Sequence, residues 1–253
     1  ADAAAICEAV TRPHVRFVPI KSSEQQDILS IHRVRERLVR TKTALANEIR
    51  GLLLEQGVSI PQGISKLEQF LETLIDPEVE ELPPLFKELL RELVEEFKLV
   101  KQRIKRLEKR LQELGKENVS VKRLLTIPGI GPIGASALVG SIGDVQHFNS
   151  GRDLSAWLGL VPRQHSTGGK SRLLGISKRG DLYLRTLLIH GARSVMRWIV
   201  RRGSPASALE KWCLSLIERR GINRATVALA NKIGRMVWAL LTKEEDYKVQ
   251  TIG

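Results

Sequence analysis

The chain has 253 residues, is 42% hydrophobic and carries a formal net charge of +13 with a pI near 10.1. That length buries a sizeable core, divided between two units and a spacer, which excludes a disordered tail. With 4% aromatic residues and no apolar run near 18 residues, the composition also argues against membrane insertion.

The charge is local. Residues 150–240 hold 17 Lys and Arg against four acids (Asp153, Asp181, Glu210 and Glu218), while the rest of the chain holds 24 of each sign. An excess confined to one third of a chain points to a polyanion bound there, with counterion release driving affinity, and nucleic acid is the leading candidate.

In chain order, Asp2 to Val10 (DAAAICEAV) is predicted as a short helix ended by Pro13, and His14 to Ile20 (HVRFVPI) as a strand. One strand is unstable alone and no others are expected, so its sheet is placed upstream of residue 1; the missing initiator Met fits a fragment. Cys7 and Cys213 lack metal-ligand spacing and read as buried free thiols in a reducing cytoplasm.

From Ser22 the pattern is helical. Ser22 or Ser23 caps a helix of about thirty residues whose apolar face runs from Ile28 through Ile31, Leu38, Leu45 and Ile49 to Leu52. A shorter helix follows over Ile64–Ile75, then a turn at Asp76-Pro77. After Pro84, residues Phe86, Leu90, Leu93, Phe97, Val100, Ile104, Leu107, Leu111 and Leu114 alternate four and three apart, a coiled-coil seam. The two long helices are expected to form an antiparallel hairpin, with self-association in trans as the competing arrangement. Gly115 to Ser120 reads as a linker.

Leu124 to Gly140 (LLTIPGIGPIGASALVG) has the form of a helix-hairpin-helix, in which a tight turn at Gly129 and Gly131 aims backbone N–H groups at a phosphate. Pro132 removes one donor from it. Residues 154–185 then combine glycine-rich turns with cations: Arg163, Lys170, Arg172, Lys178 and Arg179 are candidate phosphate contacts, and Ser166, Thr167 and Ser177 are hydroxyls near them. Spacing alone leaves Ser166 either a nucleophile or a hydroxyl that binds phosphate or shapes a turn. Trp157, Trp198, Trp212 and Trp238 stand among Leu, Ile and Ala at helical spacing and are assigned to core packing over base stacking.

The segments IPGIGP (127–132), FNSGRDLSAWLGLVPR (148–163), HSTGGK (165–170) and GISKRGD (175–181), with DAAAICEAV from Asp2 and VRFVPIK at 15–21, closely resemble the DEDD-type insertion-sequence transposases, the bridge-RNA-guided recombinases. That resemblance spans essentially the whole chain. It implies an N-terminal RuvC-like domain with four metal-binding carboxylates, a coiled coil, and a transposase domain whose serine forms a covalent phosphoserine link to DNA. By motif match Ser166 falls at that serine, with Thr167 the alternative, and Asp2 at the last carboxylate, a ligand to Mg²⁺. Implied partners are DNA, a guide RNA and further copies of the chain, in a bacterial or archaeal cytoplasm at the nucleoid.

One departure is large, because the other three carboxylates fall on segments outside this chain. A single carboxylate does not hold a Mg²⁺ pair, and Glu8, six helical positions from Asp2, points the other way. The chain is therefore expected to bind nucleic acid without cutting it. The fold class expected is mainly α: residues 1–21 as the residual end of a RuvC-like α/β domain, 22–118 as a helical-hairpin coiled coil, and 119–253 as a compact basic helical domain containing the helix-hairpin-helix. The function implied is transposition or site-specific recombination of an insertion element. The rival reading is a non-catalytic DNA-binding accessory protein, for which Ser166 is dispensable.

Overall fold

A computed structural model of the chain describes residues 2–12, 20–73, 82–167 and 169–250. The strand expected at His14–Ile20 and the turn at Asp76-Pro77 lie outside the described residues, apart from Ile20. Helix α1 (Asp2–Thr11) buries none of its side chains, and Glu8 pairs with Arg12 one turn on. Cys7 is exposed on that helix, which corrects its assignment to a core; Cys213 is buried as expected, and burial pushes its thiol up to about 11.

Helix α2 (Ser23–Glu55) starts at a reciprocal capping box: Ser22 Oγ accepts from the Gln25 N–H at 3.2 Å, and Gln25 Oε1 accepts from the Ser22 N–H at 3.0 Å. A short helix α3 (Ile64–Thr73) leads to α4 (Pro84–Gly115), which begins at a proline whose missing N–H costs nothing at a first helical position. Arg35, in the first half of α2, pairs with Glu108 near the end of α4, and the two long helices pack on each other and on α6 (Pro132–Ile142), so they run antiparallel. The heptad residues Leu90, Phe97, Val100, Ile104 and Leu111 are buried, and the cluster that the first four join also holds Leu38, Leu45, Ile49 and Leu53 of α2. The seam is thus closed within one chain. Leu114, its last expected member, is exposed, and Val94, outside the pattern, is buried instead.

A second core gathers α5 (Val119–Leu125), α6, α7 (Gly151–Trp157), α8 (Leu182–Arg202), α9 (Ala208–Arg220) and α10 (Ile222–Lys243), with Leu138, Leu158, Leu188, Met196, Leu229 and Ile233 among its buried members. Between α7 and α8 lies one feature the sequence reading lacked. Strands β1 (Pro162–Thr167) and β2 (Lys170–Ile176) pair antiparallel where only turns among helices were expected. No described helix is long and apolar enough to cross a membrane.

The two cores are joined by a buried polar chain. Ser136 Oγ donates to the Pro132 carbonyl at 2.9 Å, so it accepts from His32 Nε2–H at 3.1 Å; His32 Nδ1 therefore accepts from the Tyr183 hydroxyl at 2.9 Å. Arg35, held by Glu108 of α4 through Nε at 2.9 Å and Nη2 at 2.6 Å, reaches the same hydroxyl at 3.4 Å. Helices α2, α4, α6 and α8 thus share one satisfied network.

His32 is 2% exposed, and burial, reinforced by the Arg35 charge, holds its pKa down at about 4 from 6.5. The depressed value means the native state keeps the ring neutral while the unfolded chain protonates it first. This stability is present above pH 6.5 and is lost as pH falls towards 4, by roughly 3 kcal/mol in all. Urea unfolding at pH 7 and pH 4.5 checks this: His32→Gln is expected to flatten the fall by about that amount, whereas an unchanged fall would assign it to carboxylates.

Candidate nucleic-acid interface

The two strands form a ribbon that stands clear of the helical body. All six residues of β1 are exposed, as are Lys170, Arg172, Leu173, Leu174 and Gly175 of β2. Thr167 opposes Lys170 at the tip of the ribbon, and Gly169, just before Lys170, takes a positive φ of 76° that glycine accommodates in a tight turn. A bulge beside Arg163 offsets the register near the base.

That base is firmly tied. Ser177 N–H donates to the Val161 carbonyl at 2.8 Å and Lys178 N–H to the Gly159 carbonyl at 3.1 Å. Arg185, buried on α8, donates through Nη1 to the carbonyls of Leu158 at 3.3 Å and Gly180 at 3.4 Å. One of the bases counted towards a polyanion surface is therefore a structural clamp. A Cβ on Gly180 would fall 2.0 Å from the Trp157 carbonyl oxygen, so glycine is required there. Lys178 itself sits at φ 56°, a left-handed conformation that holds this loop in a sharp bend.

Strand alternation sorts the site residues. His165 opposes Arg172 and Thr167 opposes Lys170, so these four share one face with a strongly basic character; Ser166 stands on the other face with Gln164 and Leu173. Gln164 Nε2 donates to Ser166 Oγ at 2.9 Å, leaving the exposed hydroxyl hydrogen free to point outwards. The adjacency of His165 and Lys170 to Ser166 in sequence thus does not bring them to its oxygen. Among the described residues none of Arg163, Lys170, Arg172, Lys178 and Arg179 forms an ion pair.

The turn at 128–131 is mounted on the same helix as the loop. Gly129, at φ 92°, lies so close to Gly191 of α8 that a Cβ on Gly191 would fall 1.9 Å from the Gly129 carbonyl oxygen. Gly129 serves a close backbone approach, whereas Gly131 caps α6 and is exposed. Gly191 is nine residues into α8, roughly 13 Å from the end that carries Lys178 and Arg179.

Sequence reasoning missed one face of α8, where Arg193, Arg197 and Arg201 recur every four residues, Arg193 half-buried and Arg197 and Arg201 exposed. That spacing was the available signal. Asp2 is not brought to Ser166 by any extensive packing of α1 among the described residues, and no described group of three or more His, Cys, Asp or Glu could hold a metal ion.

Comparison with known proteins decides the lineage. Residues 121–206 match the family described as Transposase IS116/IS110/IS902. A probable family 20 transposase of Pseudomonas aeruginosa is 52% identical over 248 residues, spanning 98% of this chain and 72% of that protein. The chain belongs to the IS116/IS110/IS902 family of transposases. Its resemblance extends to the transposase for insertion sequence element IS1111A of Coxiella burnetii, 45% identical over 98% of this chain and 67% of that protein. The transposase for insertion sequence element IS1328 of Yersinia enterocolitica is 42% identical over 96% of this chain and 71% of its own length. The matched family region begins in α5 and ends just beyond α8, so the turn, the ribbon and the basic loop are all parts of the shared transposase segment.

Proposed function

We propose that the second helical unit grips DNA of an insertion element through the ribbon and the loop at Lys178-Arg179, and that Ser166 is the nucleophile of strand transfer. The observation that carries this reading is the exposed ribbon itself: it presents Ser166 clear of the body, and its cations have no acidic partner among the described residues. A serine nucleophile needs an accessible oxygen, and cations elsewhere on the same ribbon can hold the strand on which it acts. In the step proposed, the Ser166 Oγ–phosphorus bond forms, one phosphodiester oxygen bond breaks, and the departing strand oxygen gains a proton while the serine loses its own. The basic face bearing Lys170 and Arg172 binds flanking phosphates and is not placed at the attacking atom. The exposed Gly131 end of α6 adds a backbone contact that reads no sequence.

The Mg²⁺ that the resemblance implies does not fit the described residues of this chain. Asp2 is a single exposed carboxylate, so no step is routed through a metal. A guide RNA and assembly into oligomers remain part of the proposal on resemblance alone.

Salt titration tests the DNA-binding part. Six or more phosphate contacts are expected to weaken duplex binding by roughly 10³ between 50 and 200 mM salt, and Arg179→Ala to reduce the log–log slope by about one. A binding curve indifferent to salt would remove the electrostatic grip.

A further inference from the structure

The four tryptophans do not share one role. Trp212 is covered by Lys232 Nζ at 4.8 Å, Trp198 by the Arg202 guanidinium at 4.2 Å, and Trp238 donates its Nε1–H to the Phe148 carbonyl at 2.9 Å. Trp157 differs: it is 38% exposed, its described ring contact is a T-shaped one with Phe148, and it has no described hydrogen bond or covering cation. The assignment of all four to core packing therefore fails for it, as it does for Trp198, which is 53% exposed beneath its arginine.

Trp157 lines a groove of about 450 Å³ between α2 and the second core, with Lys21, Arg33, Arg40, Glu36, Asp181 and Leu182 around it. That volume falls in the ~300–1,000 Å³ range of small-ligand sites. The polar groups are unequally engaged. Glu36 is taken by Arg40, and the Asp181 carboxylate accepts from the Leu184 N–H at 3.0 Å as the cap of α8. Lys21 and Arg33 have no acid among the described residues, so the groove keeps two free cations beside a bare indole face. The backbone of Trp157 abuts Gly180, which places the groove directly beside the Lys178-Arg179 loop.

We infer that this groove receives an unpaired nucleotide, its base stacked on Trp157 and its phosphate held by Lys21 and Arg33. An exposed aromatic ring flanked by cations is the combination that holds single-stranded nucleic acid, because every base offers a π-face and every linkage a negative charge. A duplex buries its base faces, so the site selects a nucleotide flipped or displaced from pairing where the adjacent loop grips the strand. The inference rests on the nucleic-acid reading above and adds a site for unpaired bases to it.

Short single-stranded DNA and RNA oligonucleotides carrying one 2-aminopurine, and a blunt DNA duplex, test the inference with the chain as it stands. Wild-type protein is expected to quench the 2-aminopurine. Trp157→Ala is expected to weaken unpaired binding by roughly 5- to 100-fold with duplex affinity unchanged, and Trp157→Phe to retain most of it. Lys21→Glu and Arg33→Glu, both on α2 or its approach and away from the core, are expected to weaken the same binding without affecting the duplex. The tighter of the DNA and RNA oligonucleotides identifies the source of the strand. Unpaired binding that survives Trp157→Ala and both charge reversals overturns the groove while leaving the duplex reading intact; wild-type protein that binds neither form overturns both.

Discussion

Ser166→Ala is expected to abolish covalent protein–DNA attachment in a transposition-competent form of the protein, lowering strand transfer by about 10³-fold or more, as loss of a nucleophile does. Duplex affinity should fall by less than about tenfold, because a neutral hydroxyl contributes only about 0.5–1.5 kcal/mol to ground-state contacts. Thr167→Ala is the informative companion. Alternation puts Thr167 on the face with Lys170 and Arg172, opposite Ser166 and Gln164, so it should keep forming adducts. Denaturing gels of labelled DNA read the result directly: adducts lost with Thr167→Ala and kept with Ser166→Ala would transfer the role to the other face. Lys170→Ala should then act on binding more than on chemistry, because its face is not the one that carries the serine.

Ile104→Asp is expected to cost about 4 kcal/mol or more and to lower the melting temperature accordingly. Ile104 is buried in the cluster that holds Leu38 and Leu45 of α2, so the change removes its apolar contacts and leaves a carboxylate without a partner in the seam. The same burial predicts that the mass in solution stays the same, since the heptad face is consumed within the chain. Calorimetry with light scattering separates the outcomes. A variant that melts like the wild type but halves its mass would show that the seam closes between chains.

Much of this molecule was legible from spacing. The capping box at Ser22 and Gln25 and the four-three alternation from Leu90 to Leu111 are local rules, and the structure follows them because helix caps and amphipathic faces involve residues within a few positions of one another. The charge confined to residues 150–240 was equally a property of sequence. The ribbon was not legible: its residues Arg163–Arg172 are polar on both faces, so no buried side gives the alternation that marks a strand.

Sequence by itself determined the helical hairpin, the basic second unit and the motifs that tie this chain to its family. Tertiary structure alone decided which residues of that unit are free to meet a ligand. Arg185 counts as a cation in the sequence yet is consumed by the carbonyls of Leu158 and Gly180, and Gly129 has the look of a phosphate turn yet lies against Gly191. Trp157 sits in the same apolar surroundings as the other tryptophans in sequence, yet it alone of the four opens on a groove built by Lys21 and Arg33, more than a hundred residues away in the chain. Exposure and partnership are relations between distant segments, set when the helices close on one another, and a one-dimensional pattern holds no term for them.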